Sequence, residues 1–493
     1  MSSESRHVKS SYNGVTKTAG LIAAFAINIA VLAFLMGSGF PIIYSVVFAI
    51  FSLIFSGTFV SKLFGFPGFL GLYLFKTQKG IVSIDKLSKK WVWLWDGIVD
   101  WGFVMSFGVL SYFGFKKYVS RRILVLGILS LIAMEVLILP YTSVASSILN
   151  VPKYTAQTTA TYTPNTPETF YIELALSIIA VIGGFAAYIV AFLFYVLIIV
   201  IHGFMAFAVA SLPGGASGSS TALPAPAGVP VILLPFLKPS ITIPLLLSLA
   251  LLLVIHEVSH GIIARRYKIK LKSVGVILFG IIPVGAFVEP DEKEVSKLTK
   301  IKQDKISIAG VSMNFLFTLV FFIPLLLMLY AVLPQFFASH IVVSSTVPNS
   351  PAFNATLAGA TILKWNNHTV NNFSELESAA VQDTPGSIVT VTTTNRTVQL
   401  VANSTGKIGV MLVQENVDTT KGLLPSAINF IYSFIALSFL LNFLIAIFNL
   451  LPVPMLDGFR VYNANLGYRV LLVLEVIMIL ALALLILPWI QYL

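Results

Sequence analysis

Apolar runs of about 20 residues recur along this chain, long enough to cross a hydrocarbon core roughly 30 Å thick at about 1.5 Å per helical residue. In such a core every backbone polar group must be satisfied within its own segment, so the runs are expected to fold as membrane-spanning helices. They stand near residues 19–36, 41–60, 92–113, 123–140, 171–211, 240–264, 306–333, 426–450 and 470–490. The pattern predicts an α-helical polytopic membrane protein with about nine transmembrane helices. The 171–211 window is long enough for two helices, and 92–113 carries Asp96 and Asp100, which place it partly in the interface. The first run follows Arg6, Lys9 and Lys17 without a small-residue cleavage site, and is expected to be retained as a helix.

The net charge of +11 invites a nucleic-acid reading, but the 31 Lys and Arg lie mostly in short clusters between apolar runs. The positive-inside rule puts them there, so charge is read as topology. The lipid bilayer is then the expected surroundings, and no nucleic-acid partner is expected. The basic run Arg265 to Lys272 and the charged stretch Glu289 to Lys305 are assigned to the cytoplasm. That assignment sends the segment from about His340 to Glu415 to the outside. Its composition shifts there to Thr, Ser, Asn and Val, which predicts a small soluble extracytoplasmic α+β domain. It also holds five Asn-x-Ser/Thr sequons, at Asn354, Asn367, Asn372, Asn395 and Asn403, which accept glycan only on the translocated side. Tyr141 to Thr169 and Leu212 to Pro230 read as external loops.

The chain contains no cysteine, which excludes disulfides, Cys-zinc modules and thiol catalysis. Any metal site must use His, Asp or Glu. The apolar helix predicted from about Ile241 to Ala264 contains His256-Glu257-Val258-Ser259-His260. Residues four apart share a helical face, so both imidazoles can address one ion while Glu257 stands beside it as general base. Two packing histidines and a chance Glu are the alternative. However, ionisable side chains near a bilayer centre cost about 2.5–3.5 kcal/mol each on insertion scales, so three in five positions need a compensating partner. Catalytic zinc takes three protein ligands, and the third is sought among Glu135, Glu173, His202, Asp457 and Glu475. Asp457 stands out because Pro452 and Pro454 interrupt the helix before it, and non-helical chain at membrane depth survives only around a buried or wet site.

Taken together, these motifs resemble the site-2 protease family of intramembrane zinc metalloproteases. The resemblance rests on His256 to His260, on Gly285 to Glu292 shortly after it, and on Asn449-Leu450-Leu451-Pro452-Val453-Pro454-Met455-Leu456-Asp457-Gly458, in that order along the chain. It implies Zn2+ as cofactor, His256, His260 and Asp457 as metal ligands, Glu257 as general base and acid, and Asn449 as a substrate or oxyanion contact. Gly310 and Asn314, in Ala309-Gly310-Val311-Ser312-Met313-Asn314, look like the family's site-supporting segment on the next helix, with helix packing an equal reading. The external segment resembles the PDZ-like domain inserted in this family, through Ser350-Pro351-Ala352, Leu357 to Leu363, Asn366-Asn367-His368, Thr384-Pro385-Gly386 and Lys407 to Val410. It departs from the pattern at Gly359-Ala360-Thr361, so the module reads equally well as a peptide binder and as a steric filter.

The resulting organisation is 1–230, N-terminal helices of unassigned function; 231–339, the first half of the protease core; 340–415, the PDZ-like domain; and 416–493, the second half. The expected activity is hydrolysis of peptide bonds within transmembrane segments of membrane protein substrates, as in regulated intramembrane proteolysis. The expected location is a cell membrane, multi-pass, with the active site toward the cytoplasm. Val274 to Val288, broken by Gly275, Gly280, Pro283 and Gly285, is expected to form a re-entrant hairpin whose edge pairs with unwound substrate. Two rival classes use the same polar residues. A transporter should show related halves, yet no repeat of the His256 segment exists; a receptor or scaffold has no need of Glu257 between metal-spaced histidines.

Overall fold

Each long apolar window is helical in the computed structural model, which describes residues 14–37, 42–113, 119–138, 141, 167–210, 242–347, 350–371, 373–381, 383–403, 406–418 and 423–490. The N-terminal helices are α1 (Gly14–Gly37), α2 (Ile42–Phe64), α3 (Lys79–Lys89), α4 (Val92–Phe107) and α5 (Arg121–Ala133), the last continued by a π-helical turn Met134–Ile138. They are followed by α6 (Pro167–Ala210), α7 (Ile243–Arg266) and α8 (Lys300–Leu327). Among the described residues five helices are long and apolar enough to span a membrane, fewer than the nine windows suggest. The 171–211 window forms one helical run with a break at Gly184, where φ is 67° and ψ −169°. A side chain there would strike the backbone of Ser106 and Phe107, so a glycine is what lets α4 cross α6 closely. The two loops expected at 141–169 and 212–230 lie outside the described residues, apart from Tyr141 and the start of α6.

Chain contacts divide the molecule into two units: residues 1–149, 165–320 and 437–493, and residues 150–164 with 321–436. In the first unit the expected hairpin is present as β3 (Leu271–Phe279) and β4 (Ile282–Pro290). It does not stand alone. Strands β1 (Gly68–Phe69) and β2 (Leu72–Thr77) add to it, giving the antiparallel order β1-β2-β3-β4 with Thr77 opposite Val274 and Phe75 opposite Val276. Gly275 is required at the centre, because a Cβ there would meet the Phe75 carbonyl and the Phe287 ring.

The N-terminal helices are also fastened to the motif helix by charge. Arg265 donates to Asp85 on α3 at 2.5 and 2.8 Å, Arg266 donates to Asp96 on α4 at 2.6 Å, and Lys305 pairs with Asp100. Ile84 packs with Ile262, Ile263 and Ala264 in the same buried cluster. Residues 68–107 are therefore part of the unit that carries the motif helix, although sequence gave the N-terminal half no role.

The second unit contains β5 (Phe337–Thr346), β6 (Thr361–Trp365), β7 (His368–Thr369), α9 (Phe373–Ala380), β8 (Ile388–Thr393), β9 (Thr397–Val401) and β10 (Val410–Asp418). The sheet runs β10-β5-β6-β8-β9, with β7 on β6, over a core that includes Ile341, Val343, Ile362, Trp365, Val389 and Val391. Trp365 Nε1–H and the Asn366 amide both donate to Asp383, closing the loop after α9. Asn354, Asn367, Asn395 and Asn403 are exposed on this unit, and Asn372 lies outside the described residues. The chain returns through α10 (Leu423–Phe448), α11 (Asp457–Asn465) and α12 (Tyr468–Ile490).

Candidate metal centre

The motif helix α7 begins at an N-cap, where Thr242 Oγ1 accepts from Leu245 N–H, and ends at the paired Arg265 and Arg266. Its 3.6-residue period puts His256 and His260 on one face, with ring centroids 4.9 Å apart. Asp457, the first residue of α11, meets them. Its Oδ2 lies 3.0 Å from His256 Nε2 and 3.2 Å from His260 Nε2, and the two Nε2 atoms are 3.2 Å apart. Among the described residues this is the only trio of His, Asp or Glu side chains placed to hold a metal ion. Glu135, His202 and Glu475 take no part in it, and the side chain of Glu173 lies outside the described residues.

Short contacts at both ends of α11 deliver Asp457. Gly458 N–H donates to Asn449 C=O at 2.6 Å, folding the proline-bearing loop back on the end of α10. A Cβ at Gly458 would strike the Leu450 carbonyl, so the Asp-Gly order is sterically required. At the far end of α11, the Asn465 amide donates to Asp304 on α8 and Lys300 donates to Ala464 C=O. Asn449 itself donates its amide to Ile445 C=O within its own helix. Its observed contribution is the backbone carbonyl that seats Gly458, rather than a side chain directed at the trio.

The donor set fits a cation. His260 Nδ1–H donates to Ile306 C=O at 2.7 Å, which leaves Nε2 with its lone pair toward Asp457 and His256. Asp457 Oδ2 is buried with no hydrogen-bond donor, and lone pairs facing one another at 3.0–3.2 Å repel unless a positive charge joins them. The spacing suits zinc, since ligands bound tetrahedrally at about 2.0–2.1 Å sit about 3.3 Å apart. Gly310 completes the cradle: a Cβ there would lie 2.5 Å from His260 Nε2 and 2.6 Å from His256 Nε2. Asn314, fully buried, places its amide 3.0 Å from His256 Nδ1. With the amide oriented so that Oδ1 accepts from Nδ1–H, the otherwise partnerless Oδ1 is satisfied and His256 Nε2 is free to bind metal. Of the two residues that sequence offered for site support, Asn314 contacts His256 and Gly310 leaves open the space that the imidazoles fill.

Glu257 accepts Val288 N–H at 3.1 Å, so its carboxylate is tethered to β4. Because Val288 N–H points away from β3, antiparallel parity turns the N–H and C=O of Ala286 to the same open edge. Outside the apolar spans, Asp85 and Glu289 are among the carboxylates with shifted acidities. The Lys89 ammonium and then the Arg265 guanidinium hold Asp85 below the usual carboxylate range, and the Ser273 hydroxyl and Lys76 hold Glu289 below it. The Asp85–Arg265 partnership was not visible in sequence because 180 residues separate the two; the only signal was a few acids in an otherwise apolar N-terminal half.

Residues 244–487 match the profile of Peptidase family M50. The chain is a member of that family. An uncharacterized protein of Methanocaldococcus jannaschii is 32% identical over 249 residues, covering 50% of this chain and 63% of that protein's length, less than two thirds of it. The M50 segment contains His256, Glu257, His260 and Asp457 and begins after the strands and helices of residues 68–107. Membership supports a metalloprotease, and with the five apolar helices an integral membrane protein.

Proposed function

We propose that the chain is an intramembrane zinc metalloprotease that hydrolyses peptide bonds within transmembrane segments of other membrane proteins, as in regulated intramembrane proteolysis. The observation that carries this reading is the convergence of His256 Nε2, His260 Nε2 and Asp457 Oδ2, with Glu257 adjacent on the same helix. Zinc held by these three groups supplies Lewis acidity, acidifying a water to a pKa near 7 and polarising the scissile carbonyl.

The chain's own residues do the rest. His256 and His260 are locked in orientation by Asn314 and Ile306, so the ligand atoms are preorganised. Glu257 takes the proton from the attacking water and returns it to the leaving amine, keeping its position through Val288 N–H. A substrate helix has its carbonyls engaged, so local unwinding must precede hydrolysis. The open edge of β4 at Ala286 offers the backbone groups that an unwound segment loses, the strand-addition mode. Arg265 and Arg266, five and six residues after His260, support a site toward the cytoplasmic face, with the domain around 340–415 outside. That domain carries none of the residues of the trio, which supports a PDZ-like module acting on access rather than chemistry.

The test uses purified, zinc-loaded protein and a model membrane-spanning peptide. Cleavage by the unsubstituted chain and none by Glu257→Gln, at equal zinc content near one per chain, is the expected result. Equal cleavage by both proteins would remove Glu257 from the mechanism.

A further inference from the structure

A cavity of about 250 Å³ opens beside Glu257, between α3, α7 and the β3–β4 hairpin. One of its walls comes from outside the M50 segment. Gly80, Ser83 and Leu87 of α3 face Val276 and Ala286 of the hairpin across it, and Glu257 is the one charged residue in its lining among the described residues. We propose that this cavity is a substrate subsite for a single apolar side chain adjoining the scissile bond, with Ser83 and Leu87 on α3 determining which side chains enter. This rests on the proteolytic reading above.

Size, chemistry and rigidity each point the same way. Small-molecule sites occupy roughly 300–1,000 Å³, and a space of about 250 Å³ suits one leucine or phenylalanine side chain. The lining surface is mostly apolar, with Thr77, Ser83 and Glu257 its polar members, so an apolar group gains by leaving water or headgroups for it. A side chain projecting from a strand laid along Ala286 stands next to the Glu257 carboxylate, and therefore within about one residue of the bond being cut. Discrimination between side chains requires a wall that does not yield. Here α3 is held by Asp85 to Arg265, by the Gln78 amide donating to Lys272 C=O, and by Ile84 packed against Gly261. Ser83 is exposed and can be changed without touching the core, whereas Leu87 is half-buried at the margin of the buried α3–α7 cluster, so Leu87→Ala removes one edge contact from it.

The test is a specificity profile. Membrane-spanning peptides with Ala, Val, Leu or Phe beside the scissile bond are offered to the zinc-loaded full chain, to Ser83→Phe and to Leu87→Ala. Val82→Phe, on the same helix but outside the cavity lining, serves as control. Ser83→Phe should lower kcat/KM for Leu and Phe peptides relative to Ala by about tenfold or more, the scale on which apolar pockets discriminate, and Leu87→Ala should shift the ratio the other way. Because the chain has no cysteine, Ser83→Cys in a Glu257→Gln background should also form a disulfide with a peptide whose single Cys beside the scissile bond is activated as a mixed disulfide, the introduced thiolate displacing the activating thiol. Ratios unchanged within roughly twofold in both variants, as when a lipid acyl chain fills the space, overturn the subsite while leaving the protease reading intact. A bound peptide that yields no disulfide also overturns the subsite. Absence of cleavage of every peptide by the unsubstituted protein overturns the protease reading and the subsite together.

Discussion

Gly310 decides whether two imidazoles and a carboxylate can share one point. Any side chain at that position enters the space where His256 and His260 face each other, so Gly310→Ala should cut zinc content well below one per chain, measured by elemental analysis, while the helices stay folded by circular dichroism. Asn314 acts one step further out. Asn314→Leu removes the partner of His256 Nδ1 and should weaken zinc affinity by about 10–100-fold in a competition titration, the usual effect of losing an orienting hydrogen bond. Asp85 gives a pH signature. Its folded acidity is held below the ordinary value of 3.8 by Lys89 and Arg265, so its contribution to stability is present above that value and fades only as pH falls below it. Melting curves in detergent should therefore show an Asp85→Asn deficit that is constant from pH 5 to 8 and vanishes in strong acid. At this scale the motif His256-Glu257-x-x-His260 was legible because helical periodicity is local, and Asp457 because two prolines and an Asp-Gly turn mark a deliberate break. The seating carbonyls of Ile306 and Asn449 were not legible, since any residue supplies a carbonyl.

Among the elements, the hairpin shows what pattern can and cannot say. Glycines and a proline spread through an apolar stretch announced that 274–288 would not be a helix, and β3 and β4 form there. The pairing of β2 onto β3 went unseen, because Leu72–Thr77 is a short apolar run that periodicity alone assigns to neither helix nor strand. Likewise, the hydropathy of 171–211 cannot register a single backbone torsion, so the break at Gly184 was invisible. Hydrogen exchange should separate the two sides of the sheet. Val276 N–H, between β2 and β4, should exchange slowly in the free protein, and Ala286 N–H quickly. Adding a membrane-spanning peptide to zinc-loaded Glu257→Gln protein should then slow Ala286 by at least about tenfold if substrate joins the β4 edge, and leave it unchanged if substrate binds elsewhere.

For the whole molecule, the external-domain reading makes a separable claim. Replacing 340–415 with a short flexible linker should preserve zinc stoichiometry and cleavage of a short transmembrane peptide, while broadening choice among substrates with bulky external regions; a folded, zinc-loaded replacement that cleaves nothing would make the domain part of substrate positioning. The N-terminal region is a different case. Strand β2 closes the hydrogen-bonding edge of β3, and Asp85, Asp96 and Asp100 neutralise Arg265, Arg266 and Lys305. A gene fragment trimmed to the M50 segment would thus carry a raw strand edge and three uncompensated cations, two at the end of its motif helix and one on α8, and should precipitate on extraction. A chimera that takes only residues 244–487 from this chain inherits the same defect. The smallest transplantable unit here begins before residue 68 rather than at 244.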